Sequence, residues 1–184
     1  MFTELQSQIL AILIENPQKE FYFSQLGQIL GRHPGVFQKG LNSLEKEGII
    51  SSRRQGNQRL LRVNCAHPFF EEVKSIIKKS YGIEGLVREI VKHIKEIRIA
   101  LIYGSYPSGK MRVDSDVDLL VVLSDLKAED ALMNRLSEAE KKVGREINYK
   151  MYSMTEFSRK LAEKDPFLTE ILSERIILIK GKIE

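Results

Sequence analysis

An apolar run, Ile97–Tyr103 (IRIALIY), ends in Gly104-Ser105, and ten residues further on a second run opens with Asp116-Val117-Asp118 (DVDLLVVLSD). Both runs are short, rich in β-branched and aliphatic residues, and bounded by turn formers, which is the pattern of buried strands. A helical pattern over Lys127–Val143 and a third strand in REINYKMYS follow. Strand, loop, strand, helix, strand predicts an α+β core. Asp116 and Asp118 are two apart in a strand, so their carboxylates point to one face while Val117, Leu119 and Val121 point to the other. Adjacent like charges on a strand are unfavourable unless a cation lies between them. Mg2+ (or Mn2+) meets that need, and Mg2+ favours carboxylates together with phosphate oxygens. Gly104 permits close backbone approach, and Ser105 offers an N–H and a hydroxyl to a phosphate. The residues therefore place a phosphate cradle, Gly104 and Ser105, beside a metal pair, Asp116 and Asp118.

The stretch GSYPSGKMRVDSDVDLLVV resembles the signature of the DNA polymerase β-like nucleotidyltransferase superfamily. It is most similar to the minimal nucleotidyltransferases of bacteria and archaea, over roughly residues 85–152. The resemblance implies that Gly104 and Ser105 hold the β- and γ-phosphates of an NTP. It implies that Asp116 and Asp118 bind one or two Mg2+ ions and serve catalysis, aligning an attacking hydroxyl for nucleotidyl transfer with loss of pyrophosphate. Gly109 would allow the loop to turn, and Lys110 and Arg112 are cations within the same loop. Active members carry a third carboxylate on the third strand that accepts the proton of the attacking hydroxyl. The matching position here is Asn148, and an amide cannot act as a base. Glu146, two residues earlier, and Asp114 are the nearby acids that could substitute.

The first 66 residues read differently. Leu5, Ile9, Ile12 and Leu13 recur at helical spacing up to Asn16-Pro17. Ser24 is placed to cap a short second helix that Gly31 ends. Pro34 suits the first turn of a third helix, which carries Val36, Phe37, Leu41 and Leu44 inward and stops at Gly48. Two apolar runs, Ile49-Ile50 and Leu60–Val63, flank a polar stretch with Gly56-Asn57 at its tip. Three helices and a basic hairpin resemble the winged helix-turn-helix of bacterial and archaeal regulators. Such a module would read double-stranded DNA with Gln38, Lys39 and Asn42 of the third helix and track its backbone with Arg53, Arg54 and Arg59 of the wing. Charge agrees: residues 1–67 hold eight Lys/Arg against five Glu and no Asp, whereas all six Asp lie beyond.

The expected fold is therefore α+β in two domains. A winged helix spans residues 1–66, connecting helices span 67–96 with Phe69, Phe70, Val73, Ile76 and Ile77 on one inward side, and a nucleotidyltransferase-like domain spans 97–184. The tail, Thr155 to Glu184, is expected to complete the core. A single Cys, Cys65, excludes an internal disulfide, and His33, His67 and His93 show no zinc spacing. No apolar run is long enough to span a bilayer, and no basic head precedes an apolar stretch, so a cytoplasmic protein without membrane association is expected. Two functional expectations follow. One is a DNA-binding protein that transfers a nucleotidyl group from a Mg-NTP to a hydroxyl of a protein acceptor or small molecule. The other is a transcriptional regulator whose inactive nucleotidyltransferase-like domain senses nucleotide. A homodimer is compatible with either.

Overall fold

A computed structural model describes residues 2–110 and 115–183. Packing divides the chain into two units, Met1–Gly85 with Lys141–Gly144, and Leu86–Glu140 with Arg145–Glu184. The division between Gly85 and Leu86 places most of the stretch expected to connect the domains within the first unit.

In the first unit, Thr3 caps α1 (Glu4–Glu15). Its hydroxyl accepts from the Gln6 N–H at 3.2 Å, and the Gln6 side chain accepts from the Thr3 N–H at 2.9 Å. This reciprocal pair satisfies two donors that a helix start leaves open. The strand β1 (Phe21–Tyr22) precedes α2 (Phe23–Leu30). Sequence periodicity does not reveal β1, because two residues carry no period. Ser24 lies inside α2 and is not its cap: Tyr22 precedes the helix, and its N–H donates to the Gln25 side chain at 2.9 Å. Pairing of Phe21 with Leu61 and of Tyr22 with Leu60 holds that start in place. Gly31, in the left-handed region at φ 60°, ends α2, and Pro34 opens α3 (Pro34–Lys46) two residues after Arg32. The wing is a hairpin of β2 (Ile50–Gln55) and β3 (Gln58–Val63) turning at Gly56-Asn57. The sheet order is β1-β3-β2. Ile9, Leu10, Ile12, Leu13, Phe21, Phe37, Leu41 and Leu61 are buried around this frame. This is a winged helix-turn-helix.

The helix α4 (Phe70–Ser80) packs on α1. Its expected apolar stripe is only partly used: Ile77 is buried, but Phe69 and Ile76 are 66% and 61% exposed. Helical spacing shows that residues share a face and not whether a neighbour covers that face. Val36 is likewise exposed, because it lies on the open side of α3. The helix α5 (Ile83–His93) begins where its Ile83 N–H donates to the buried Glu15 carboxylate at 3.0 Å.

The second unit is built on a four-stranded mixed sheet. Its strands are β4 (Ile97–Tyr103), β5 (Val117–Leu123), β6 (Ile147–Ser153) and β7 (Ile177–Lys180), in the order β6-β5-β4-β7. Between β4 and β5 lies a one-turn helix, α6 (Ser105–Ser108). The helix α7 (Glu129–Val143), entered through a 3-10 turn at Leu126–Ala128, returns the chain so that β6 runs parallel to β5. After β6 come α8 (Met154–Ala162) and α9 (Pro166–Ser173). Ser153 caps α8 through its hydroxyl, and Asp165 caps α9 through its carboxylate. Ile99, Leu101, Leu120, Val122 and Tyr152 of one sheet face are buried with Phe157, Leu168 and Ile171 of these two helices. Six of the seven residues of β5 are therefore core, and Asp118 stands at the edge of that core. Among the described residues no helix is long and apolar enough to cross a membrane.

Candidate functional sites

The site of the second unit forms where three strands end together. Tyr103 is the last residue of β4 and pairs with Asp118 of β5, which pairs in turn with Asn148 of β6. Directly opposed residues share a face, so Tyr103, Asp118 and Asn148 form one row across the sheet. Rows further along the same face, Leu101–Leu120 with the exposed Lys150 at its end and Ile99–Val122–Tyr152, bring in the core residues Leu101, Leu120, Ile99, Val122 and Tyr152. The row is therefore the boundary between apolar packing and solvent.

Gly104 turns the chain out of β4 at φ 75° and ψ −139°. That region is essentially closed to other residues. A Cβ at this position would also lie 2.6 Å from Oδ2 of Asp118. Gly104 is thus required twice, by its backbone and by the carboxylate packed against it. Ser105 follows, half-buried, at the start of α6, and Gly109 ends that turn at φ 71°. Lys110 donates its backbone N–H to the Ser105 carbonyl at 3.1 Å.

Asp116 lies just before β5 rather than within it, and it is exposed. The segment that carries it is tied down on both sides. The guanidinium of the buried Arg145 donates to the Ser115 carbonyl, and the Val117 N–H donates to the Glu146 carbonyl at 3.0 Å. Asp118 has its pKa raised above the usual 3.8, first by burial and then by the charge of Asp116, with a hydrogen bond from Asn148 acting in the opposite direction. Burial, Asp118 and Tyr152 together push the Tyr103 hydroxyl up to about 12. A carboxylate whose proton affinity is raised by burial and by a neighbouring carboxylate, with an amide alongside, suits a hard divalent cation that completes its shell with phosphate and water. Among the described residues no group of three or more His, Cys, Asp or Glu gathers to hold a metal. Arg112 and Asp114 lie outside the described residues. Sequence reasoning misses Tyr103 and Arg145, since neither stands in the motif. The register of β4 and the proximity of Arg145 to β6 are the signals that place them.

In the first unit, Gln38, Lys39 and Asn42 are exposed on α3, and Arg53, Arg54 and Arg59 stand on the hairpin. The fold brings Asn42 and Arg59 together: the guanidinium donates to Oδ1 of Asn42 at 3.0 Å. Arg59 also pairs with Glu45. Arg53 meets Glu20 through two donors, with Nε at 2.9 Å and 3.2 Å from its two oxygens. The wing's charge is therefore not all of one sign, as the hairpin sequence alone suggests, because acids distant in sequence fold against it. Among the described residues, Lys39, Lys46 and Arg54 make no ion pair.

A family model described as "Polymerase beta, Nucleotidyltransferase" matches residues 86–182, which takes in β4, β5, β6 and β7 with the row at their ends. The chain belongs to this nucleotidyltransferase family. Among curated proteins, it is 29% identical over 122 residues to the tRNA uridine 5-carboxymethylaminomethyl modification enzyme MnmG of Buchnera aphidicola subsp. Cinara cedri, covering 61% of this chain and 19% of that protein. The chain thus spans about a fifth of the length of that relative. Among solved structures, a toxin–antitoxin with AMP-PNP aligns at 15% identity and TM-score 0.40, over 54% of this chain and 74% of that one. A MepR–DNA complex of Staphylococcus aureus aligns at 16% identity and TM-score 0.38, over 51% and 79%. A nucleotidyltransferase from Sulfolobus solfataricus aligns at 22% identity and TM-score 0.28, over 40% and 66%. Likenesses of this size assign no ligand or partner. The amide of Asn148 is hydrogen-bonded to Asp118.

Proposed function

We propose that the protein is a DNA-binding regulator whose nucleotidyltransferase domain binds a Mg-NTP at Gly104, Ser105, Asp116 and Asp118. The observation that carries this reading is the placement of Asp118 beside Asp116, at the edge of the core and packed against the Gly104 turn. Mg2+ held by the two carboxylates would neutralise the triphosphate and offset their repulsion. Gly104 gives that triphosphate close access to the backbone, and Ser105 supplies an N–H and a hydroxyl. Gln38, Lys39, Asn42 and Arg54, with Arg53 and Arg59 once their acids are displaced, form the surface for double-stranded DNA.

Binding without transfer is favoured by Asn148. Its amide donates to Asp118 and has no lone pair basic enough to take a proton from an attacking hydroxyl. A second reading, transfer to a hydroxyl of a protein or small molecule, is supported by Glu146, which stands exposed two residues before Asn148 beside the row.

Calorimetric titration of ATP, with and without Mg2+, tests the first reading. Binding is expected only with the metal, and Asp116→Asn with Asp118→Asn is expected to weaken it at least about 100-fold. Equal binding by this variant would overturn the assignment. Asn148→Asp separates the two readings: if it creates turnover of labelled ATP that the natural chain lacks, the amide is what blocks transfer. Turnover by the natural chain that Glu146→Gln abolishes would establish the second reading.

A further inference from the structure

A nucleotide extends beyond its phosphates, and the carboxylates and the Gly104 turn account for the phosphates alone. On the same sheet face, one row nearer the core, Lys150 of β6 projects beside Leu120. Its ammonium lies 4.4 Å from the ring centroid of Phe167, in the first turn of α9. Phe167 packs edge-on against Tyr103, with centroids 5.8 Å apart and planes at 86°, and Tyr103 is the strand partner of Asp118. An aromatic ring thus stands one side chain away from the carboxylate pair. Lys150 is exposed and makes no ion pair among the described residues, so the cation over that ring face is not held there by an acid. The neighbouring Tyr152 ring differs, because besides Lys150 at 5.9 Å a second cation, Lys160, lies against it and is held at 2.7 Å by Asp165.

We propose that the face of Phe167 now covered by Lys150 is the seat of the nucleobase, a reading that rests on the Mg-NTP function proposed above. A base stacks on an aromatic ring more strongly than an exposed ammonium does, so it displaces Lys150 from that face. Every base has a π-face, so the seat accepts all four NTPs. It gives the tail of the chain a part in ligand binding beyond completing the core.

The experiment compares Mg-ATP with Mg-triphosphate, which has the same phosphates and no base, by calorimetry on the full chain. The quantity read is the ratio of the two affinities. In the natural chain Mg-ATP binds at least tenfold more tightly. Phe167→Leu, which keeps an apolar side chain against the core, lowers the ratio about tenfold, or about 1.4 kcal/mol, and leaves Mg-triphosphate unchanged. Phe167→Tyr preserves the ratio, and Lys150→Met raises it by uncovering the ring. An unchanged ratio in Phe167→Leu, or in Lys150→Met should the former not fold, overturns the base seat alone. So does a natural chain that binds both ligands equally. If neither ligand binds, the Mg-NTP reading fails and the base seat fails with it.

Discussion

In the wing, Arg53 and Arg59 each meet an acid of their own unit, Glu20 and Glu45, whereas at the end of the second sheet Asp116 and Asp118 have only each other and an amide among the described residues. Both regions present clustered like charges in the sequence. Folding neutralises part of the first cluster from within and leaves the second dependent on something from outside. Exposed ion pairs contribute little and open readily, so the wing's pairs reduce what its arginines offer a polyanion without removing it. Carboxylates side by side, one of them partly buried, carry a standing cost that a bound cation removes. Charge that the fold leaves unanswered is thus a stronger pointer to a ligand than charge merely counted along the chain.

The contrast breaks most severely at Gly104. Gly104→Ala forces a Cβ to within 2.6 Å of Asp118 Oδ2 and places alanine at φ 75°. A destabilisation of about 1–3 kcal/mol is expected from the backbone alone, together with loss of Mg-ATP binding. Thermal unfolding measures the first effect and calorimetry the second. Adding Asp118→Ala to Gly104→Ala should recover the steric part and not the backbone part, which a double-mutant cycle separates. Full additivity of the two substitutions would show that the carboxylate does not press on Gly104.

How far these features are legible in the sequence differs between the regions for physical reasons. The paired strands, the Gly104 turn and the carboxylates of the second unit are read directly from spacing, because strand period and turn chemistry are local. The helix order of the first unit is legible in the same way, down to Gly31 and Pro34. What is not legible is long-range. Glu20 reaches Arg53 across 33 residues, and Arg145 reaches Ser115 across 30. Phe69 and Ile76 share an apolar face with Ile77 but stay exposed among the described residues. Phe167 reads as core filling until the antiparallel register brings Tyr103 against it.

The wing offers the next test. Arg54 has no acid partner among the described residues and Arg53 has a bidentate one. Arg54→Ala should therefore weaken binding to a duplex from the protein's own promoter about tenfold and reduce the slope of log affinity against log salt by about 1. Arg53→Ala should do less than half of that, since its binding to phosphate must first release Glu20. Glu20→Gln should steepen the slope and tighten binding. Fluorescence anisotropy at several salt concentrations reads all three. Equal losses for Arg53→Ala and Arg54→Ala would mean that the Glu20 pair does not persist in solution.

The smallest expected effect bears on the other side of the contrast. The folded pKa of Asp118 lies above its ordinary 3.8, with burial the main cause and Asp116 the second. The native state therefore holds this proton more tightly than the unfolded chain does. The carboxyl favours the native state fully below pH 3.8 and loses that contribution as the pH rises through the raised value. At neutral pH the ionised group works against folding, so Asp118→Asn should melt higher than the natural chain, on the order of 2 °C. The difference should shrink as the pH falls below 3.8, where the carboxyl is protonated in the native and unfolded states alike. Saturating Mg-ATP should reverse it at neutral pH by stabilising only the natural chain. An Asp118→Asn variant that melts lower than the natural chain at neutral pH without ligand would show that the carboxylate is already satisfied by its own protein, as Arg53 and Arg59 of the wing are.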